Sequence, residues 1–173
     1  NTLIIDADGL NALSENKEIL RKRKCNVILT PHPGEMSRLC GLSVSEVQND
    51  RMNIAKKFAE EYGVCLVLKG MGTIVTAESG ETYLNGTGNC GMATAGTGDV
   101  LAGIIGSFSA QGMSAFDAAK LGVFVHGLSG DLKKKKKGTF GLVASDVSEK
   151  IPQAIGLILG EISYLDVVPD FQV

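Results

Sequence analysis

The residues between Gly88 and Gly103, GNCGMATAGTGDVLAG, set a nearly bare backbone before one carboxylate, Asp99, and then an apolar run. The first amides of a helix lack intrahelical partners, and the macrodipole places partial positive charge on them. Glycine lets a phosphate reach such N–H groups without a Cβ in the way. Asp99 could instead be a plain N-cap, a role worth about 1 kcal/mol. The Gly/Ala approach is longer than a cap requires, which favours anion binding. A carboxylate placed there can also take the proton of an alcohol as phosphoryl transfer develops.

Three other polar clusters carry possible chemistry. TPHPGE stiffens His32 between two prolines and sets Glu35 near a helix start; a rigid strand-to-helix turn and a ligand contact explain it equally well. Lys69, closing LVLK, either meets phosphate or snorkels to the surface. In DADGLN, Asp6, Asp8 and Asn11 could order water, Mg2+ or a sugar hydroxyl, or cap the following helix. His126, inside LGVFVHGLSG, reads as a packed helix residue. Lys133 to Lys137 reads as a solvated loop without catalytic duty, and a lysine run with no interleaved aromatic is no nucleic-acid signature.

Hydrophobic periodicity supplies the elements that must hold these groups. TLIID, NVILT and VCLVLKG read as buried strands, and GTIVTAESGETYLNG as a hairpin. Helices are expected over GLNALSENKEILRKRK, GEMSRLCGL, VSEVQNDRMNIAKKFAEEY and SAFDAAKLGVFVHGLSGDL. A further helix starts near Asp99, where Val100, Leu101, Ile104, Ile105 and Phe108 share a face, and the last is opened by Ser145 or Asp146 as N-cap. Alternating strands and helices predict an α/β fold with a mostly parallel central sheet flanked by helices. Each polar cluster follows a strand, at the sheet end where ligands gather.

The chain of 173 residues is long enough for a single domain, residues 1–173, with a real core. With 44% hydrophobic and 21% charged residues it reads as globular. A net charge of −2 gives no general attraction for nucleic acid or an anionic membrane. Cys25, Cys40, Cys65 and Cys90 are too scattered for a zinc site and read as reduced thiols of a cytoplasmic protein. No apolar run approaches the roughly 18 residues of a bilayer span. The chain opens at Asn1 directly in an apolar strand, so a preceding segment is expected.

Taken in order, DADGLN, TPHPGE, LKGMGT, GNCGMATAGTGDVLAG, GVFVHGLSGD and GLVASDV resemble the ADP/ATP-dependent NAD(P)H-hydrate dehydratases of the ribokinase-like superfamily. GTGD alone would admit every sugar and vitamin kinase of that superfamily; TPHPGE with GNCGMATAGTGD narrows it. The resemblance implies a ribokinase-like layered fold, here its C-terminal portion, and dehydration of 6-hydrated NADH and NADPH (NADHX, NADPHX). The hydroxyl is phosphorylated by ADP or ATP with Mg2+, and phosphate leaves as the ring double bond re-forms. It implies that His32, Pro33, Gly34, Glu35, Asp8 and Asn11 line the hydrate pocket, which Asp99 contacts while acting as base. Lys69, Gly70, Met71, Gly72, Thr73, Asn89, Gly96, Thr97 and Gly98 would hold the adenine nucleotide. GMATAGTGD is similar to the ADP-using bacterial branch, and a homo-oligomer is implied. Two rivals remain: a small-molecule kinase of the same fold, and a non-catalytic nucleotide-binding module.

Overall fold

The computed structural model describes residues 1–163. Strands β1 (Thr2–Ile5), β2 (Asn26–Leu29) and β3 (Cys65–Leu68) run parallel side by side. β4 (Ile74–Thr76) and β5 (Thr82–Leu84) add an antiparallel hairpin, giving the order β1-β2-β3-β4-β5. The hairpin turn closes where expected, with the Ala77 N–H donating to the Glu81 carbonyl at 2.8 Å.

Alternate strand residues build two cores. Val27, Leu29, Leu66 and Leu68 face one side, packing with Leu10, Met36, Leu39, Val47 and Phe58. These come from helices α1 (Asp8–Glu15), α2 (Pro33–Cys40), α3 (Val44–Asn49) and α4 (Arg51–Tyr62). Ile28, Cys65, Val67 and Val75 face the other side, against Leu101, Ile105, Ala119 and Val123 of α5 (Thr97–Ala110) and α6 (Ala115–Lys137). A third cluster joins Ile104, Val125 and Leu132 to Ala154 of α7 (Ala144–Leu159). Helices on both faces of a sheet whose strands are apolar on both faces make the α/β layered architecture. Among the described residues no helix is long and apolar enough to cross a membrane.

Several boundaries differ from the periodicity. The helix expected over residues 9–24 ends at Glu15 and gives way to a 3-10 segment, Lys17–Lys22. The stretch 44–62 is two helices, because the backbone breaks from helical geometry at Asp50. α7 is preceded by Val143, not by Ser145 or Asp146. Asp146 lies inside its first turn and accepts the Val143 N–H at 3.0 Å.

The lysine run is not a loop: it forms the last turn of α6, where cations suit the macrodipole. Lys133 Nζ lies 3.0 Å from Asp146 Oδ1 and 2.7 Å from Glu149 Oε2, and Lys137 Nζ lies 2.6 Å from Asp146 Oδ2. Lys137, the Val143 amide and Lys133 hold the Asp146 carboxyl well below the usual carboxylate range. Lys134→Gln with Lys136→Gln is expected to leave both turnover and Tm unchanged, as solvated surface substitutions do. Lys133→Gln should lower Tm but not turnover. A hundredfold loss of turnover with the fold intact would give the run a catalytic duty.

Candidate active site

The sheet ladder continues past the strand ends and brings three loops to one edge. The Thr30 N–H donates to the Ile5 carbonyl at 3.2 Å, and the Lys69 N–H to the Pro31 carbonyl at 2.8 Å. Asp6, Glu35 and Lys69 meet there. Lys69 Nζ lies 2.7 Å from Asp6 Oδ1 and 3.8 Å from Glu35 Oε2, with side-chain exposures of 19%, 14% and 6% for Lys69, Asp6 and Glu35. Lys69 therefore does not snorkel, and Asp6 does not cap α1. The residue before α1 is Ala7, held at φ 47°, a left-handed backbone conformation costly for a residue with a Cβ. Asp8 follows it, exposed, its carboxylate without a partner among the described residues.

TPHPGE forms a helix start. Pro33 occupies the first turn of α2, where its missing N–H is no loss. His32 Nδ1 accepts the Gly34 and Glu35 amides at 3.0 and 3.2 Å, while Glu35 Oε2 accepts the His32 N–H at 2.7 Å. Those two donors leave the neutral ring's hydrogen on Nε2, 3.5 Å from Glu35 Oε1. Asn11 is brought to the same side by Arg38, whose Nε donates to Asn11 Oδ1 at 3.0 Å.

The start of α5 sits on the charged cluster. A Cβ on Gly98 would lie 3.4 Å from Lys69 Nζ and 3.5 Å from Asp6 Oδ2. The N-cap is Gly96, so Asp99 is the third residue of the helix and not its cap. The Thr97 amide reaches the Thr94 carbonyl only at 3.4 Å. The amides of Gly96, Gly98 and Asp99 have no acceptor among the described residues, and the exposed Asp99 carboxylate has no donor. The Thr97 hydroxyl is committed internally, 2.9 Å from the Met92 carbonyl and 2.8 Å from that of Thr94.

Helix α6 holds this loop at both ends. Asp131 accepts the Gly88 amide at 2.8 Å and Asn89 Nδ2 at 2.9 Å, and Asn89 Oδ1 in turn accepts the Gly91 amide at 3.1 Å. A Cβ on Gly127 would collide with the Thr87 backbone, so glycine there allows the loop this close to the helix, while one on Gly130 would meet only the flexible Met92 side chain. At the other end His126 Nε2 donates to the Thr97 carbonyl at 2.9 Å. Burial pushes its pKa down to about 4. His126 is thus a packed helix residue, as its context suggested, with a positioning contact as well.

That burial has a pH consequence. The unfolded imidazole takes a proton below about 6.5 and the folded one only near 4. Stability is therefore full above 6.5 and falls as the pH drops towards 4, by roughly 3 kcal/mol if the shift is fully realised. Urea denaturation from pH 7 to 4 should show this slope, and His126→Gln should flatten it. An unchanged slope in the variant would assign the pH dependence to other groups.

Lys69–Thr73 turns back between β3 and β4, with the Thr73 hydroxyl donating to the Gly70 carbonyl at 3.0 Å and Met71 fully exposed. Behind it lies Arg51, which the sequence reading passed over together with Arg38 and Asp131. Only Arg51 carried a local signal, a cation in the first turn of a helix, where the dipole disfavours it.

Solved structures share this fold. A ribokinase-like superfamily protein from Enterococcus faecalis matches with a TM-score of 0.73 at 30% identity, over 88% of this chain and 51% of that one. The class is thus a ribokinase-like α/β protein. Within it, the family described as NAD(P)H-hydrate dehydratase matches residues 1–153, and the chain belongs to that family. It is 46% identical over 149 residues to the ADP-dependent (S)-NAD(P)H-hydrate dehydratase of Neisseria meningitidis, covering 84% of this chain and 50% of the relative. It is 43% identical over 152 residues to the bifunctional NAD(P)H-hydrate repair enzyme Nnr of Moorella thermoacetica, covering 88% and 29%. The ADP/ATP-dependent NAD(P)H-hydrate dehydratase of Bacillus subtilis, co-crystallized with ATP/Mg2+, matches with a TM-score of 0.78 at 33% identity, over 89% and 54%. The chain spans half or less of the length of the two curated relatives named here.

Proposed function

We propose that this protein is a nucleotide-dependent dehydratase returning NADHX and NADPHX to NADH and NADPH, with ADP as phosphoryl donor and ATP as the alternative. The observation that carries the reading is the α5 start. Amides of Gly96, Gly98 and Asp99 without acceptors among the described residues stand over an Asp6–Lys69–Glu35 cluster, and the Asp99 carboxylate has no donor among them. Residues 1–173 are then the C-terminal portion of a ribokinase-like domain, in a cytoplasmic homo-oligomer.

In this reading the amides of Gly98 and Asp99, with the helix dipole, stabilise negative charge on the transferring phosphoryl group. Asp99 accepts the proton of the hydrate hydroxyl as its oxygen bonds to phosphorus and the donor's terminal P–O bond breaks. Phosphate then departs with the C–O bond electrons, the adjacent ring carbon gives up a proton to solvent or the departing phosphate, and the C–H electrons re-form the ring double bond. Phosphorylation converts hydroxide, a poor leaving group, into a good one, which is why a kinase fold suits a lyase. His32, Glu35, Asp8 and Asn11, with Pro33 and Gly34, line the hydrate side. Lys69–Thr73 and the loop from Asn89 to Gly98 receive the nucleotide.

Mg2+ is a hard cation that takes oxygen ligands and usually comes with phosphates and several waters. Asp6, whose second oxygen lies beside Gly98, and exposed Asp8 are donors of the right chemistry. Bound there, the ion offsets charge on the donor's phosphates.

Full-length protein incubated with NADHX and ADP should restore absorbance at 340 nm and release free phosphate in equal amounts. A stable phosphate ester with no regained absorbance would identify a small-molecule kinase instead. Nucleotide binding without turnover would identify a binding module.

A further inference from the structure

We propose that Arg51 is a positioning residue for the nucleotide, holding the loop Lys69–Thr73 in the shape that receives the phosphates. The proposal rests on the nucleotide reading of that loop given above. Arg51 Nη2 lies 3.1 Å from the Leu68 carbonyl, 3.4 Å from that of Lys69 and 3.2 Å from that of Gly72. One guanidinium thus gathers the carbonyls on both sides of the turn. The turn depends on it sterically as well. Gly70 stands at φ 141°, and a Cβ there would lie 2.5 Å from Arg51 Nη1 and 3.3 Å from Cζ. Glycine and arginine are fitted face to face.

With its carbonyls drawn back onto the guanidinium, the loop presents fewer acceptor oxygens to an incoming anion. The charge itself points the same way. Arg51 opens α4, where the helix dipole disfavours a cation, and partial burial lowers its pKa. Yet among the described residues it forms no ion pair, and its one side-chain partner is the neutral Gln48 amide oxygen at 3.2 Å. A partly buried cation held against two local penalties, with no carboxylate beside it, leaves its field for an anion. Nη2 alone meets the three loop carbonyls while Nη1 reaches Gln48, so the two arms of the fork tie loop and helix together, which a single ammonium cannot do.

The test is Arg51→Lys in the full-length protein, which keeps the charge and loses the fork. Calorimetric titration with ADP should show Kd raised by roughly 10–100-fold. The KM for NADHX and kcat at saturating ADP should change less than about threefold, with the unliganded Tm close to that of the wild type. Weakening of ADP and NADHX alike, together with a large fall in Tm, would make Arg51 a general structural residue and overturn the proposal. Gly72→Ala is the control, because it strains the loop directly at φ 63°. If it weakens ADP binding while Arg51→Lys does not, the loop reading stands and the role of Arg51 falls. If neither changes ADP binding, the loop is not the nucleotide site and both fall. Should Arg51→Lys not fold, Gln48→Ala, which frees the guanidinium's other arm, should raise the ADP Kd in the same direction; an unchanged Kd would overturn the proposal.

Discussion

Asp99→Asn is expected to lower turnover by roughly 10²–10⁴-fold, the range lost with a general base, while leaving nucleotide affinity and stability nearly unchanged. Asn has the size and shape of Asp but cannot take the hydroxyl proton. The amides of Gly98 and Asp99 itself, which meet the phosphoryl group in the proposed mechanism, stay where they are. Asp99 is exposed and makes no hydrogen bond within the described residues, so nothing in the fold depends on its charge except the helix dipole. Asp99→Ala is the control. Were Asp99 the N-cap, it would cost about 1 kcal/mol. With Gly96 as the cap, the loss reduces to the dipole term, about 0.3–1 kcal/mol. Single-turnover measurement of phosphate release and urea denaturation of both variants separate the two roles. Near-normal turnover in Asp99→Asn would remove Asp99 from the chemistry.

Lys69→Met should be the most damaging substitution to stability and should also abolish measurable turnover. Methionine fills the same volume but leaves Asp6 and the buried Glu35 facing each other without the ammonium between them. Removing one partner of such a cluster costs about 3 kcal/mol, since the remaining charges keep their desolvation penalty. Asp6→Asn combined with Lys69→Met relieves one carboxylate, so it should recover part of the stability and none of the activity. That split would separate the ammonium's role under the α5 start from its role in holding the fold. If Lys69→Met costs less than about 0.5 kcal/mol, the cluster is screened like a surface pair and does not hold the loops together.

The strands, the hairpin and the helix after Gly96 were legible because each is a local pattern. Apolar runs such as CLVL can only be buried, and VLAGII repeats on one helical face. Boundaries were less legible where the deciding interaction is a short one between neighbours. At Asp50, whose side chain accepts Asn53 Nδ2 at 2.8 Å, the backbone leaves helical geometry and splits a stretch that periodicity alone reads as one helix. The lysine run was misread for the opposite reason. Its partners, Asp146 and Glu149, lie one helix away, and no local signal marks a lysine that will be paired.

By itself the sequence determined that a glycine-rich helix start, a stiff histidine turn, an acidic strand end and a strand-end lysine exist. Each rests on backbone conformations that glycine, proline or a β-run impose within a few residues. Only the tertiary structure decided what those groups do to one another. Parallel pairing of β1, β2 and β3 aligned their ends, so residues 6, 35 and 69 became one charge cluster and Gly98 came to rest above it. The same packing made Gly96 the cap and left Asp99 free, tied the glycine loop to Asp131 and His126, and set Arg51 behind Lys69–Thr73. Those relations depend on distances between residues far apart in the chain, which strand register and helix packing set and no local propensity encodes.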